Sequence, residues 1–280
     1  MAASGNEAQQ QIDLVRGFLD QGAVVVLSGA GLSTSSGIPA YRDREGNWQH
    51  SKPIEHKEFL NFESVRKRYW ARSFLGWPTV GLAKPTRGHE ALAHLESLGR
   101  IVLTITQNVD GLHQKAGSRS VLELHGGLHR VSCLQCQRIH SRDVVQEWMR
   151  EANPDIVLEV SSLAPDGDAH ADESLYKRFC VPTCPSCSGV LKPDVVFFGG
   201  FVPRDRVDAC MTAIDSAHGV LVVGSSLMVY SGFRFIDYAH RQAKPVMAIN
   251  LGKTRADHLF DAKVEQDCDE LLHRLRAQMG

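Results

Sequence analysis

The chain has 280 residues, which is enough for one large domain or for a large domain with a small one. Its composition is that of an ordinary globular protein, and a formal net charge of −1 gives no support to a nucleic-acid or anionic-membrane partner. No apolar run approaches the ~20 residues of a membrane-spanning helix.

The amino-terminal stretch, residues 1–11, is polar. It has neither the apolar core of a signal peptide nor the Arg-rich amphipathic character of a transit peptide. The seven cysteines of the chain are an odd number, which argues against a secreted disulfide framework. We therefore expect a cytoplasmic protein.

Residues 6–21 are predicted to form the first helix, because apolar side chains recur on one face. Residues 23–28 follow as a short apolar run rich in β-branched side chains, which indicates a buried parallel strand. The apolar face of the helix is formed by Ile12, Val15, Phe18 and Leu19.

A glycine-rich turn ends this strand. Gly29 and Gly31 lack Cβ atoms, so the backbone can turn sharply and a ligand can approach it closely. Several backbone N–H groups, with a helix N-terminus behind them, would favour an anion such as a pyrophosphate. A plain strand–turn–helix connection is the alternative interpretation of a lone Gly-x-Gly.

The turn differs from the dinucleotide fingerprint of dehydrogenases. Thr34 stands where the third glycine is expected, and residues 46–50 lack the strand that would carry the acidic residue. The segment after the turn is long, polar and dotted with Gly and Pro, which predicts a flexible loop over a site. The pattern favours Rossmann-like nucleotide binding with chemistry other than hydride transfer.

Residues 54–77 are helical in character and rich in aromatic side chains. Burial of these aromatics favours a helical subdomain with its own core. A wall of a substrate channel is the alternative interpretation. The aromatics are Phe59, Phe62, Tyr69, Trp70, Phe74 and Trp77.

Strands and helices alternate through most of the remaining chain, which indicates an α/β fold with a mostly parallel sheet. Further strands are predicted at residues 101–106, 121–124, 195–198, 219–223 and 246–250. Further helices are predicted at residues 89–98, with Gly99 as a suitable C′ residue, and at 206–217 and 269–278.

Four of the predicted strands end in glycine-rich or polar tails. Ligands of parallel α/β sheets bind beyond the carboxyl ends of the strands. We therefore expect the tails to converge on one crevice that binds a nucleotide. The tails are residues 29–31, 107–110, 224–226 and 250–252.

Two Cys-x-x-Cys pairs lie in a region with few long apolar runs, which we interpret as an inserted small domain. Four thiolates suit a tetrahedral zinc, and a closed four-cysteine site is structural because no position is left open for chemistry. Two unrelated thiol pairs, or a redox motif, are the alternatives. Cys180 offers a competing thiol but has no partner cysteine two residues away, and Cys210 is predicted to lie in the core. The pairs are Cys133 with Cys136 and Cys184 with Cys187.

Several of these motifs resemble the signature of the sirtuins, a family of NAD-dependent protein-lysine deacylases. The resemblance covers nearly the whole chain in the expected order. It rests on residues 29–42, 106–113, 123–126, 192–199 and 223–226 and on both cysteine pairs.

Three further segments resemble the class II branch of this family, which includes the fourth human sirtuin, a mitochondrial protein, and many bacterial proteins. Since the chain has no recognisable transit peptide, we expect a bacterial protein. The segments are residues 68–72, 163–168 and 229–232.

The resemblance implies a Rossmann-like NAD-binding domain with helices on both faces of its sheet, and a smaller zinc-ribbon and helical domain. The larger domain comprises residues 1–50, 86–130 and 190–280. The smaller domain has a helical part at residues 51–85 and a zinc-ribbon part at residues 131–189.

The resemblance also implies roles for individual residues. His125 is the general base, and Asn108 is catalytic as well. Ile38, Asn108 and Asp110 form the nicotinamide pocket, and Gln107 lies by the nicotinamide ribose. Further cofactor contacts are Gly29, Ala30, Gly31, Ser33, Tyr41, Arg42, Gly224, Ser225, Ser226, Asn250, Leu251, Gly252 and Cys268. The substrate backbone pairs as an added strand with Val196, Phe197, Phe198 and Gly199.

The implied cofactors are NAD and one structural zinc ion, and the implied partners are acyl-lysine proteins or peptides. The acyl oxygen attacks C1′ of the nicotinamide ribose and releases nicotinamide, and His125 then deprotonates a ribose hydroxyl. The products are free lysine, nicotinamide and 2′-O-acyl-ADP-ribose, with an acetyl or longer acyl group. We expect a monomer with no direct nucleic-acid or membrane contact.

The chain departs from the family at Ala40, where an aspartate is usual. Lost turnover through Ala40 leaves an NAD-sensing module with weak turnover as one alternative to the deacylase. A mono-ADP-ribosyltransferase that uses the same pocket is the other alternative. Tyr69 and Arg72 match the Tyr-x-x-Arg spacing with which the desuccinylase branch binds acidic acyl groups, but in a different sequence setting. His113 is the rival of His125, with a capping or packing role as its alternative.

Overall fold

The computed structural model describes residues 5–47, 49, 53–156 and 173–279. The class II motif at residues 163–168 lies outside the described residues, as do two residues of the zone 46–50. Within these described ranges, no helix is both long enough and apolar enough to cross a membrane.

The helices predicted at residues 6–21, 89–98, 206–217 and 269–278 are confirmed, with ends displaced by one or two residues. The helical character of residues 54–77 is confirmed as two helices. Over the described part of the chain the α-helices are α1 (Gly5–Asp20), α2 (His56–Asn61), α3 (Glu63–Leu82), α4 (Arg87–Ser97), α5 (Leu112–Lys115), α6 (Arg142–Ala152), α7 (Glu173–Arg178), α8 (Arg204–Ser216), α9 (Tyr230–Arg241) and α10 (Cys268–Arg276).

The strands divide into a large parallel sheet and a small antiparallel one. The described strands are β1 (Val24–Ser28), β2 (Ile101–Thr106), β3 (Val121–Glu123), β4 (Gly126–Cys133), β5 (Ile139–Ser141), β6 (Leu191–Val195), β7 (Val220–Val223), β8 (Val246–Ile249) and β9 (Ala262–Val264).

The large sheet has six parallel strands in the order β3-β2-β1-β7-β8-β9. Counted within this sheet alone, the order is 3-2-1-4-5-6, the doubly wound order of dinucleotide-binding folds. All six strands run parallel, but the side of the sheet on which successive strands are added changes between β1 and β7. The predicted Rossmann-like α/β fold is confirmed, and a ligand crevice is expected at this reversal.

Strand β1 is buried along its whole length, as its apolar sequence predicts. Its side chains alternate between two cores: Val24 and Val26 pack with α1, α4 and α10, while Val25 and Leu27 pack with α8 and α9. The sheet is therefore covered by helices on both faces, which explains its continuous apolar runs.

The small sheet has the order β5-β4-β6 and packs against a separate core. Trp70 and Phe74 of α3 meet Met149 of α6 and Val131 of β4 in this core. The indole of Trp70 is 1% exposed, and its N–H donates to the Leu191 carbonyl at 3.2 Å. The aromatic helical segment thus has its own core, although the domain boundaries stay a prediction.

The strand predicted at residues 195–198 is misplaced. Strand β6 ends at Val195 and pairs with β4 in the small sheet. Its buried side chains are Leu191 and Pro193, whereas the apolar run that follows lines a cavity. Apolar residues suit a cavity wall as well as the interior of a sheet, so the apolar pattern alone could not distinguish the two.

The helix predicted behind the glycine turn is also wrong. Residues 30–32 and 34–36 form two short 3₁₀ turns instead. Helix α9 was not predicted, although Phe235, Ile236 and Ala239 give it a buried apolar face at helical spacing.

Truncation of Trp70 tests the separate core of the small sheet. We expect Trp70→Ala to lower the free energy of unfolding by about 3–5 kcal/mol, because a large cavity replaces a fully buried ring. Leu82→Ala is the control, since Leu82 is 81% exposed and its loss should change stability by less than ~0.5 kcal/mol. Urea unfolding measures both, and equal effects would contradict this packing.

Candidate functional site

A cavity of about 730 Å³ opens at the carboxyl edge of the six-stranded sheet. The tails of β1, β2 and β7 line it along residues 29–31, 107–110 and 224–226, and the tail of β8 lines it through Asn250 and Leu251. The prediction that four strand tails converge on one crevice is therefore confirmed.

The glycines of the first turn are required by the packing of the β1 and β7 tails. A Cβ atom on Gly29 would lie 2.8 Å from the Gly224 carbonyl oxygen, and one on Gly31 would lie 2.9 Å from the same oxygen. Gly31 N–H also donates to this carbonyl at 2.8 Å. Only glycine permits so close a contact at the point where the strand order reverses.

The predicted cluster of ligand-facing N–H groups is only partly supported. The N–H groups of Gly29, Gly31, Leu32 and Ser33 donate to carbonyls within the protein. The glycine turn is therefore built mainly for close packing, and it leaves the cavity open above its backbone.

A hydrogen-bonded network joins the residues predicted around the nicotinamide. The Asn108 amide Nδ2 donates to the Gly29 carbonyl and to Ser33 Oγ, both at 3.0 Å. Ser33 Oγ in turn donates to Asp110 Oδ2 at 2.7 Å, and Leu112 N–H donates to Asp110 Oδ1 at 2.9 Å. Burial raises the pKa of Asp110, while these hydrogen bonds oppose the rise. The network fixes the three polar side chains before any ligand binds.

Gln107 links the tails of three strands. Its Nε2 donates to Ser225 Oγ at 2.8 Å and to the Ser28 carbonyl at 3.2 Å. A Cβ on Gly232 would lie 2.3 Å from Gln107 Oε1, so the start of α9 also packs against this amide.

His125 follows β3 and lies on the cavity wall. Its Nδ1 lies 3.0 Å from the Gln107 carbonyl, which can only accept, so Nδ1 carries the proton in neutral imidazole. The lone pair therefore lies on Nε2, which is 2.8 Å from Ser231 Oγ. Burial, assisted by the charges of Arg234 and Arg206, lowers the pKa of His125 against the effect of the Gln107 bond. The arrangement provides a neutral base that faces the cavity.

His113, the rival histidine, lies in the core. It is 1% exposed, its Nε2 lies 2.7 Å from Ser28 Oγ, and its ring packs edge-on against His89. Burial lowers the pKa of His113 well below its ordinary value, and the nearby His89 contributes. These contacts favour the packing role.

The other predicted contact residues lie on the cavity, with one exception. Gly252 does not line it in the described part of the chain; its backbone lies against Arg44, and a Cβ there would be 2.2 Å from the Arg44 carbonyl. Ala40 lines the cavity, and Cys268 does so with its Sγ 3.6 Å from the Gly31 carbonyl. The other predicted residues on the cavity wall are Ala30, Ile38, Tyr41, Arg42 and Ser226.

Residues 196–199, the predicted substrate strip, form one wall of the cavity. Val196 N–H donates to the backbone carbonyl of His125 at 2.8 Å, so the strip and the base are joined through the backbone. Phe197 packs against Phe59 and Tyr69, with ring centroids 5.0 and 5.3 Å away. The strip is therefore supported from behind by the aromatic core.

The side chains of Tyr69 and Arg72 do not both line the cavity. Tyr69 lines it, but Arg72 is not among the lining residues of the described chain. The spacing alone therefore does not create a carboxylate site there.

A charged cluster behind the base was not predicted. Arg130 of β4 binds Glu123 of β3 at 2.7 Å and Asp194 of β6 at 2.8 Å. Since Glu123 is only 10% exposed, the cluster ties the large sheet to the small one beside His125. Ser231, the partner of His125, was noted only within a family motif. Its contact joins residues that are distant in the sequence, so no local pattern could have revealed it.

The four predicted cysteines come together beside the small sheet, at the end of β4 and in the neighbouring turns. All four Sγ atoms lie within 4.8 Å of one another, and the separations of Cys133 from Cys187 and of Cys136 from Cys184 are 3.4 and 3.7 Å. A closed set of four thiols is positioned to hold a structural metal ion, consistent with zinc. Cys180 is exposed and outside this cluster, and Cys210 is buried in α8 as predicted.

Comparison with known proteins gives one family. The model of the Sir2 family matches residues 29–231. An NAD-dependent protein deacetylase of Xanthomonas axonopodis pv. citri is 51% identical over 252 residues, which cover 90% of this chain and 86% of the relative. One of Bordetella bronchiseptica is 49% identical over 262 residues, which cover 93% and 96% of the two chains.

Solved structures agree with this comparison. A Sir2 structure with an inhibitor, 2′-O-acetyl-ADP-ribose and a deacetylated p53 peptide has a TM-score of 0.76 and 28% identity to this chain. The match covers 96% of this chain and 99% of that one.

Removal of one clustered thiol tests the metal site. We expect about one zinc per chain in the purified protein and its loss in Cys184→Ser, because three thiolates hold the ion much more weakly than four. Cys180→Ser is the matched control and should keep its zinc. Elemental analysis and thermal unfolding with and without a chelator measure the effect. A wild-type content below about half a zinc per chain would contradict the assignment.

Proposed function

The chain belongs to the Sir2 family, and on that premise we propose that it is an NAD-dependent protein deacetylase. The observation that carries the proposal is the neutral His125, fixed by the Gln107 carbonyl, on a cavity that it shares with the Asn108 and Asp110 network. The products of such a reaction are free lysine, nicotinamide and 2′-O-acyl-ADP-ribose.

Two features make the cavity suitable for NAD. The site lies where the strand order of the sheet reverses, and its glycines leave the backbone accessible to a ligand. When bound, NAD supplies the electrophilic ribose carbon from which nicotinamide leaves. We assign the nicotinamide end to Ile38, Asn108 and Asp110. The pyrophosphate and adenosine ends are assigned to residues 29–31, Ser33, residues 224–226 and 250–251, and Cys268.

In this proposal, His125 Nε2 is the base for the proton that a ribose hydroxyl gives up. Its Nδ1–H stays bonded to the Gln107 carbonyl, which orients the ring and stabilises the cation that forms. Asn108 and Asp110 hold their positions through Ser33, so little reorganisation is needed when the ligands bind.

The peptide substrate is assigned to residues 196–199. An added strand takes its affinity from main-chain hydrogen bonds, and is therefore tolerant of peptide sequence. The aromatic support of Phe197 by Phe59 and Tyr69 keeps this wall in place.

The acyl group extends, in our proposal, beyond acetyl to longer or branched aliphatic groups. Ile54, Leu128 and Phe197 give the cavity apolar walls. Because Arg72 does not line the cavity, the Tyr-x-x-Arg spacing gives no support to a preference for acidic acyl groups. We also assign the chain to the class II branch of a bacterial source; the bacterial relatives support the source, and the monomeric state stays a prediction.

A panel of acyl-lysine peptides tests the function. Acetyl, propionyl and succinyl peptides are incubated with and without NAD, and deacylated peptide is measured by mass spectrometry. Transfer of label from NAD to protein without deacylation would favour the mono-ADP-ribosyltransferase. Tight NAD binding without nicotinamide release would favour the sensing module, with Ala40 as its cause.

Replacement of the base gives a direct test of its role. We expect His125→Ala to lower kcat for deacetylation by at least ~100-fold, because general-base catalysis contributes ~10²–10⁴. His273→Ala, an exposed position in α10, is the control and should keep full activity. Equal activity of wild type and His125→Ala would contradict the proposed mechanism.

The pH dependence follows from the surroundings of His125. Burial lowers its pKa below the ordinary 6.5, so the ring stays neutral to a lower pH than an exposed histidine does. We expect kcat/KM to be full above the lowered pKa and to fall as the pH drops through it, with the acid limb below pH 6.5. Initial rates across the acidic range measure this limb. A midpoint at or above 6.5 would contradict the expectation.

A further inference from the structure

The Ser231 hydroxyl is hydrogen-bonded to Nε2, the basic nitrogen of His125. Because Nδ1–H donates to the Gln107 carbonyl, Nε2 has the lone pair and the Ser231 hydroxyl donates to it at 2.8 Å. A neutral imidazole nitrogen has one lone pair, so this bond uses the whole acceptor capacity of Nε2. A substrate hydroxyl must displace Ser231 or act through it.

The position of Ser231 favours action through it. Ser231 is the second residue of α9, and Gly232 N–H and Phe233 N–H donate to the Val229 carbonyl at 3.1 and 3.2 Å. The helix start is therefore held in place by the backbone, and Gly232 packs against Gln107 beside the base. Ser231 itself is partly exposed and lines the cavity. Ser231 thus contacts the base through its hydroxyl and borders the space open to a substrate.

A serine hydroxyl is chemically suited to this place. It has one O–H donor and two acceptor lone pairs, so it can accept a proton from a substrate hydroxyl while it donates its own to Nε2. The transfer from Ser231 to Nε2 runs along the observed 2.8 Å hydrogen bond and needs no change of side-chain rotamer.

We propose that Ser231 is a further catalytic residue, which relays the proton of the ribose hydroxyl to His125. The inference rests on the proposed deacetylase function. In the step, the ribose O–H bond breaks and its proton forms a new bond with Ser231 Oγ. At the same time the original Ser231 proton passes to Nε2. The electron pair left on the ribose oxygen would form the bond to the acyl carbon, whose C=N π pair would pass to the lysine nitrogen. Ser231 is again neutral, and His125 holds the proton.

Kinetics of two steps test the relay. Exchange of labelled nicotinamide into NAD reports the release step, which precedes the action of the base. We expect Ser231→Ala to keep exchange near the wild-type rate and to lower kcat for deacetylation about 100-fold, the lower end of a general-base contribution. Ser231→Thr keeps a hydroxyl and should recover most of the rate. Ser216→Ala, at an exposed position of α8, is the control.

A spectroscopic measurement that does not depend on catalytic turnover accompanies the kinetics. The ¹⁵N chemical shift of His125 Nε2 in the ligand-free protein should move toward that of an unbonded nitrogen in Ser231→Ala but not in Ser231→Thr. Thermal unfolding confirms that each variant is folded.

Several outcomes would overturn the relay. An unchanged or faster deacetylation by Ser231→Ala would show that the hydroxyl is idle or must be displaced. A parallel loss of exchange and deacetylation would indicate a merely structural role, and an unchanged ¹⁵N shift would exclude the hydrogen bond. If the wild type catalyses neither exchange nor deacetylation, the proposed function itself fails, and this result is distinct from a defect confined to the variant.

Discussion

The close contact between the tails of β1 and β7 is the constraint on which the site depends. Gly29 and Gly31 lie so near Gly224 that any side chain would collide with its backbone. This contact joins the two halves of the sheet where the strand order reverses, and both tails then open into one cavity. The amides of Asn108 and Gln107 bond to these tails, so the tail of β2 is positioned by the same contact.

The two sheets meet beside the base, and their junction is polar. Arg130 binds Glu123 of the large sheet and Asp194 of the small one, while the backbone of His125 accepts the Val196 N–H. Arg130 and Asp194 are partly exposed, so the ion pairs contribute little net stability, but loss of Arg130 leaves the nearly buried Glu123 carboxylate without its arginine. The junction is therefore better understood as a device that fixes geometry than as a source of stability.

Much of the fold was predictable because its signals are local. The strands of the large sheet are short buried apolar runs, and their polar tails mark the ligand edge wherever they occur. The apolar run at residues 195–198 was wrongly predicted as a strand, because cavity walls and sheet interiors favour the same residues. The cysteine cluster was predictable from spacing, which chelation itself constrains. The contact of Ser231 with His125 was not, because it depends on how α9 packs across the sheet.

The hydrogen bond from Val196 to the His125 carbonyl has a consequence for the choice of targets. Under the proposed function, a peptide aligned along the strip is placed at a fixed distance from the base, whatever its side chains are. The position of a lysine along an extended backbone then matters more than a consensus sequence. On that proposal, lysines in segments that can open locally into an extended strand are accessible as targets, and those in stable helices are protected.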